Sequence, residues 1–131
     1  MNNREELTVF IGEIKLTFLY YPFPVLLPLV KSESLSLLSI SELATTKAYT
    51  IGRRGSFKDY VDVYYILKEH HTALYEIIRL AEQKYGRDFN SRLFLEQLIY
   101  LDDITDIAIV FLKDAIDKGE VRMFFEEQVK T

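Results

Sequence analysis

Apolar and polar positions alternate over the first twenty residues. Ile14, Leu16 and Phe18 alternate with polar residues, a period of two that is typical of a half-buried β-strand. The segment 7–11 is also rich in β-branched and aromatic residues, and a Gly-Glu pair at 12–13 separates the two segments. The pattern predicts an antiparallel β-hairpin. Because two strands alone are marginal in water, we expect helices or further strands against one face.

A proline-rich stretch follows the predicted hairpin. Proline fixes φ and removes a backbone donor, so an extended connector is predicted here. The segment 35–40 is either a third short strand or the lead into a helix. Ser39 and Glu42 have capping-box spacing, which predicts a helix beginning near residues 40 to 42. The three prolines fall within seven residues: Pro22, Pro24 and Pro28.

Apolar positions then recur with helical spacing to the end of the chain. Gly86 is placed to end one helix, Asn90 to cap the next, and Asp117 with Glu120 to start the last. The segment 104–116 fits a helical stripe but carries β-branched residues on its other face, so its pattern is ambiguous. The predicted helices cover 41–53, 57–68, 72–85, 91–101 and the residues from about 117.

The order of elements, strands first and helices afterwards, is that of an α+β fold. We expect a short antiparallel hairpin or sheet remnant followed by a bundle of about five helices. The length of 131 residues suits one domain. Within it, 1–40 would hold the strands and connector, and 41–131 the helical part.

Composition excludes several classes of site. The net charge of −4 argues against an autonomous nucleic-acid binder. Disulfides and thiolate chemistry are excluded because the chain has no cysteine, and two adjacent histidines cannot form a His-rich zinc site. No metal ligands are therefore assigned. The longest apolar run, 17–30, is too short to span a bilayer, and the N-terminus has no signal pattern. A cytoplasmic protein without a membrane partner is predicted.

Lys47 occupies an unusual place in the first predicted helix. Leu43, Lys47 and Ile51 lie four residues apart, and Ala44 and Ala48 flank that row. The lysine therefore falls within the apolar stripe. It must reach solvent along the surface, pair with a carboxylate, or meet an anionic ligand.

Two aspartates on the second predicted helix raise a related question. Asp59 and Asp62 share one face of a helix that is apolar nearly all round, so they require partners. The group is either a salt-bridge cluster that docks two helices, or a polar pocket. In the pocket, cations would contact phosphate while the carboxylates orient them or bind a metal. The nearby cations are Lys47, Arg53, Arg54 and Lys58.

Other candidate motifs are weaker. The glycines in 52–56 do not have phosphate-loop spacing. His70 and His71 lack metal-ligand spacing and are predicted at the surface. Asp102 and Asp103 are predicted to form a polar helix terminus.

The segment 41–67 carries a longer pattern. It reads Ser-Glu-Leu-Ala-x-x-Lys-Ala-x-x-x-Gly-Arg-Arg-Gly-x-x-Lys-Asp-Tyr-Val-Asp-Val-Tyr-Tyr-Ile-Leu. It resembles the C-terminal half of the AbiEii/AbiGii-type nucleotidyltransferase toxin family. The resemblance extends over most of the chain, since 15–24 is similar to the last sheet strands and 90–103 and 121–127 to the tail. It also favours an extended segment at 105–112.

The resemblance implies roles for individual residues. Lys47, Asp59 and Asp62 would be catalytic, with Lys47 contacting a nucleotide phosphate and Asp59 holding Lys47 or helping to organise a metal site. Lys47, Arg53 and Arg54 would bind the nucleotide. Family members transfer a nucleotide from an NTP to RNA or another target, with a divalent metal such as Mg²⁺. They often act as toxins paired with an antitoxin.

One departure limits this interpretation. The family's metal site is Gly-Ser, about ten residues, then Asp-x-Asp, and the 131 residues contain no such motif. Gly55-Ser56 stands too close to Asp59. The chain is therefore predicted to be a truncated nucleotidyltransferase-like protein, inactive alone, whose partner is an antitoxin or a complementing N-terminal chain. The alternative is a non-enzymatic interaction module that forms a homodimer or docks through an exposed strand edge.

Overall fold

A computed structural model of the chain describes residues 6–100 and 117–130. The predicted α+β class is confirmed: an N-terminal hairpin precedes five helices. The ambiguous segment 104–116 and the pair Asp102-Asp103 lie outside the described residues. The elements are β1 (Glu6–Ile11), β2 (Ile14–Leu19), β3 (Val30–Lys31), β4 (Ser36–Leu37), α1 (Ile40–Arg54), α2 (Phe57–Lys68), α3 (Leu74–Tyr85), α4 (Ser91–Ile99) and α5 (Lys118–Lys130).

Strands β1 and β2 form the predicted antiparallel hairpin. Leu7 lies opposite Phe18, and Val9 opposite Leu16. Gly12 makes the turn with φ +62°, in the left-handed region that glycine adopts without steric cost. The sequence therefore specifies both the strands and the residue at which the chain reverses.

The hairpin register sorts the side chains into an apolar face and a mixed face. The mixed face carries charged, hydroxyl and apolar side chains. On the apolar face, every side chain except that of Val9 is exposed, and no described element covers it. The sequence predicts, by contrast, helices or further strands against one face. We call this surface the apolar hairpin face; it consists of Leu7, Val9, Ile11, Ile14, Leu16 and Phe18.

The connector leads from the hairpin into the first helix. Strand β4 pairs antiparallel with β3, and α1 begins three residues later. The two interpretations of 35–40 are therefore both realised in turn. Ser39 caps the helix, since its hydroxyl accepts the backbone N–H of Glu42 at 3.2 Å.

Helix α1 forms the centre of the helical body. It contacts α2, α3 and α4, while α5 packs against α2 and α4. The core is built from the apolar stripes that periodicity predicts, and almost every helix contributes an aromatic ring or a branched aliphatic side chain. Its fully buried members include Ala44, Ala48, Ile51, Tyr60, Val63, Ile77, Ala81, Phe94, Leu98, Val121 and Phe125.

The connection between α2 and α3 is longer than predicted, because α3 begins later. Helix α2 has the predicted bounds, but α3 begins at Leu74 and not at residue 72. His70 adopts φ +59°, and the N–H groups of His70 and His71 donate to the carbonyls of Leu67 and Ile66. This is the hydrogen-bond pattern of a Schellman motif, usually formed with glycine. A bend then continues through Thr72, and Ala73 is the N-cap of α3.

The remaining helix ends agree closely with prediction. Asn90 Oδ1 accepts the Leu93 N–H at 3.0 Å, and Asp117 Oδ1 accepts the Glu120 N–H at 2.9 Å, as expected of N-caps. Helix α4 ends at Ile99, two residues earlier than predicted. Among the helices of the described ranges, none has the length and apolar character needed to cross a membrane.

Two glycines at the end of α1 are expected to respond oppositely to alanine. A Cβ on Gly52 would meet only Phe94 atoms at 3.9 Å, so Gly52→Ala should stabilise the helix by about 0.5–1 kcal/mol. A Cβ on Gly55 would lie 3.0 Å from Ile51 Cα and 3.4 Å from Tyr60, so Gly55→Ala should cost about 1–3 kcal/mol. Urea unfolding of both variants measures the difference; shifts of the same sign would contradict this packing.

Candidate functional site

Lys47 bridges the first two helices. Its Nζ lies 3.0 Å from Asp59 Oδ1 and 3.0 Å from Asp62 Oδ2, and 23% of its side chain is exposed. Of the three outcomes open to a lysine in an apolar stripe, pairing with carboxylates is the one observed. We call Lys47, Asp59 and Asp62 the lysine–aspartate cluster.

Asp59 also takes part in the N-terminal cap of α2. Its Oδ2 accepts the Ser56 backbone N–H at 3.0 Å and the Ser56 hydroxyl at 3.2 Å. Asp59 N–H in turn donates to the Ser56 carbonyl at 3.0 Å. This is capping-box geometry, with the carboxylate reaching back to the cap. The same residue therefore begins α2 and fixes the Lys47 ammonium.

The surroundings of Lys47 and Asp59 favour the charged form of each side chain. Burial would lower the pKa of Lys47, but hydrogen bonds and attraction from Asp62 and Asp59 outweigh it and raise that pKa. Burial would raise the pKa of Asp59, yet the Ser56 amide and the Lys47 ammonium bring that pKa below its ordinary value. One lysine therefore faces two aspartates, a combination whose formal charge is −1.

Arg53, one of the two arginines predicted to bind the nucleotide, lies away from the lysine–aspartate cluster. The exposed Arg53 guanidinium is over the Tyr49 ring, with Cζ 4.6 Å from the ring centroid, as in a cation–π contact. It lines a separate cavity of about 200 Å³ beside Asp88 and Phe89. Arg54 ends α1, and its side chain lies outside the described part. The structure thus brings together Lys47, Asp59 and Asp62, with Arg53 on a different surface.

The metal implied by the family resemblance has no site in the described ranges. Within residues 6–100 and 117–130, no group of three or more histidine, aspartate or glutamate side chains is placed to hold a metal ion. The two carboxylates of the lysine–aspartate cluster are both directed to Lys47. They do not fit a divalent cation in this arrangement.

A buried ion pair that the sequence interpretation missed joins the connector to the helices. Glu42 and Lys84 pair with side chains only 1% exposed. The other Glu42 oxygen accepts the N–H groups of Leu26 at 3.0 Å and Leu27 at 2.9 Å. The carboxylate predicted to complete a capping box at the start of α1 thus holds the connector and α3 instead.

A sequence signal for this pair does exist. Lys84 follows Ile77 and Ala81 at helical spacing, so it lies in the apolar stripe of α3 just as Lys47 lies in that of α1. A lysine within the apolar stripe of a predicted helix indicates a buried charge, and this criterion applies to Lys84 as it does to Lys47.

An aromatic cluster reinforces the same junction. The Tyr49 and Tyr85 rings stack with centroids 4.1 Å apart, and Phe23 lies 4.6 Å from Tyr85. The Tyr21 hydroxyl is hydrogen-bonded to that of Tyr85, whose pKa is raised, chiefly by burial. Residues 21–27 are thereby attached to α1 and α3, which fixes the root of the hairpin on the helical body.

Comparison with known proteins gives one distant relative. The chain is 27% identical over 130 residues to the uncharacterized protein aq_aa25 of Aquifex aeolicus (strain VF5). The alignment covers 98% of this chain but 62% of that protein's length, so the chain spans about three fifths of its relative. Neither a protein-family model nor a solved structure matches the chain.

Proposed function

We propose that this chain is the nucleotide-phosphate-contacting part of a nucleotidyltransferase of the AbiEii type, dependent on residues outside these 131 for its metal site. The observation that carries the proposal is the lysine–aspartate cluster. Lys47 and the Asp-x-x-Asp pair belong to different helices, yet they converge with both ion-pair distances at 3.0 Å. Their order and spacing are those of the AbiEii-like pattern.

The cluster geometry suits Lys47 to phosphate contact. A lysine ammonium has three N–H donors, and two are directed at Asp59 and Asp62. The third is available to a phosphate oxygen because the side chain is partly exposed. A fixed positive charge at this place stabilises negative charge that builds up as a phosphoryl group is transferred. Asp59 and Asp62 are positioning residues, which hold the ammonium and keep it protonated.

The net charge of the cluster explains why a second component is needed. One ammonium between two carboxylates leaves a net negative charge that repels a bare triphosphate, so the triphosphate must arrive with Mg²⁺, and within the described residues no group of three or more metal ligands is placed to hold that ion. The proposed partner therefore contributes the Gly-Ser and Asp-x-Asp motif, whose carboxylates bind Mg²⁺. The greater length of the Aquifex aeolicus relative is consistent with such a component. The proposed acceptor is RNA, and an antitoxin is the proposed regulator.

Nucleotide binding tests the proposal. Equilibrium dialysis with each labelled NTP and Mg²⁺ should detect binding by the wild-type chain, at least tenfold weaker in Lys47→Ala. Lys130→Ala is the matched control, since Lys130 is an exposed lysine at the end of α5, outside the segment that carries the candidate phosphate contacts. Its binding should stay within twofold of wild type. Binding of none of the four NTPs, or equal loss in both variants, would overturn the proposal.

A second candidate function rests on the apolar hairpin face. This surface exposes five large apolar side chains on a two-stranded sheet whose outer edges are unpaired in the described part of the chain. Contiguous apolar surface and open strand edges mark interaction sites. The chain would then act without catalysis, forming a homodimer or docking on another protein through the hairpin. Light scattering that finds only monomers at every concentration counts against the homodimer.

A further inference from the structure

A groove outside the lysine–aspartate cluster runs between the first turn of α1 and the second half of α2. Its volume is about 260 Å³, and its floor is made by Ile40 and Leu43 of α1 with Tyr65 and Ile66 of α2. Ile40 is 44% exposed and Leu43 40% exposed, although both belong to a well-packed helix. The groove therefore presents apolar surface that a ligand can cover.

Carboxylates stand at both ends of this floor. Asp62 of α2 and Glu69, the C-cap residue of that helix, line the groove and are seven residues apart, so about 10 Å separates them along the helix axis. Asp62 belongs to the lysine–aspartate cluster, whose formal charge is −1. His71 Nε2 lies 3.5 Å from Glu69. Even with His71 protonated, the charged groups facing the groove sum to a negative value.

We propose that this groove binds a segment of a partner protein in which apolar side chains are flanked by lysine or arginine. The apolar floor takes the central side chains, and the two carboxylates meet basic groups about 10 Å apart. In an extended chain, lysines four positions apart lie on one face about 13 Å apart, and their flexible side chains reach carboxylates about 10 Å apart. A nucleic acid or an anionic lipid covering this groove would bring negative charge to both carboxylates, Glu69 included, so charge complementarity favours a basic peptide.

The proposal does not rest on nucleotide binding. Of the residues that line the groove, Asp62 alone belongs to the lysine–aspartate cluster. A variant at Leu43 or Glu69 changes the groove without removing a charge from the lysine–aspartate cluster.

The test uses the whole chain and a labelled peptide. The probe is the blocked peptide Gly-Lys-Ser-Leu-Ser-Lys-Gly, which in an extended conformation presents both lysines and the central leucine on one face, and its binding is followed by fluorescence anisotropy at low salt. We expect saturable binding that Leu43→Lys weakens at least tenfold. Leu93→Lys is the matched control, because Leu93 is also 40% exposed but lies on α4. Its binding should stay within twofold of wild type.

Charge variants separate the electrostatic part of the proposal. Glu69→Gln should weaken binding about threefold or more, and Glu82→Gln, at an exposed position of α3, should not. A peptide with glutamates in place of the lysines should fail to bind. Equal binding of the acidic peptide, equal loss in both leucine variants, or no saturation at millimolar peptide would overturn the proposal. So would light scattering that shows a dimer dissociated by Leu43→Lys, since the occupant would then be a second copy.

Discussion

Replacing Glu42 by alanine is expected to destabilise the protein by about 3–5 kcal/mol. The change leaves the Lys84 ammonium, 1% exposed in the structure, without its counter-charge. It also removes the acceptor of the Leu26 and Leu27 N–H groups. Urea denaturation followed by circular dichroism gives the free energy of unfolding. The matched control is Glu76→Ala, which breaks an exposed pair with Arg79 and should have little effect.

A double variant distinguishes the lost ion pair from lost packing. Glu42→Leu keeps the packing volume but leaves the Lys84 ammonium unpaired, so adding Lys84→Met should recover much of the stability that Glu42→Leu loses. A cost below about 1 kcal/mol for Glu42→Ala would contradict the buried pair, because an unpaired buried ammonium costs more than that.

Low pH is expected to weaken the Glu42–Lys84 ion pair. Burial would raise the pKa of Glu42, but hydrogen bonds from Lys84, Leu27 and Leu26 outweigh it and bring the pKa below its ordinary 4.5. A lowered carboxyl pKa stabilises the fold above the ordinary pKa, and that contribution is lost as pH falls through the folded pKa. Acid unfolding should therefore show a smaller pH dependence in Glu42→Ala than in wild type.

The apolar hairpin face is expected to drive self-association that a single charge abolishes. Phe18 is 58% exposed within that face, opposite Leu7, so Phe18→Glu places a carboxylate among apolar side chains. Sedimentation equilibrium should show an association constant at least tenfold lower than wild type. Phe10→Glu is the matched control, because Phe10 is 70% exposed on the mixed face opposite Lys15. Equal loss in the two variants would contradict an interface on the apolar face.

Much of the fold follows from local patterns in the sequence. Period-two alternation and Gly12 predict the hairpin, and helical periodicity with caps at Ser39, Asn90 and Asp117 predicts most helix ends. These signals act between neighbours along the chain, so one sequence is enough to read them. The start of α3 is not marked in the sequence because its N-cap is Ala73, which has no side-chain oxygen to accept a backbone N–H.

The tertiary arrangement was less predictable. A lysine in an apolar stripe signals a buried charge, but the stripe does not identify the partner. Lys47 and its two aspartates lie within one short segment, 41–67, so the sequence alone indicates that they could pair. Glu42 and Lys84 are 42 residues apart, and a capping role offered a local explanation for Glu42. Arg53 is close to Lys47 in sequence, but six residues along α1 place it on another face, over Tyr49.

Local sequence patterns also could not predict that no described element covers the apolar hairpin face. The pattern requires that this face be buried, but it does not say whether the burying surface comes from the same chain. The same limit applies to the lysine–aspartate cluster, whose pattern identifies the residues that converge but not the ligand that they meet.

The central claim is that Lys47, held between Asp59 and Asp62, offers its third N–H to a nucleotide phosphate. Nuclear magnetic resonance of the lysine side-chain ¹⁵N groups, with Lys47 assigned by substitution, tests it most directly. We expect a Lys47 ammonium signal that is protected from exchange, shifts on titration with an NTP and Mg²⁺, and loses its protection in Asp59→Asn. The signal of Lys130, an exposed lysine of α5, should not move. A Lys47 signal unchanged by millimolar concentrations of all four NTPs would contradict it.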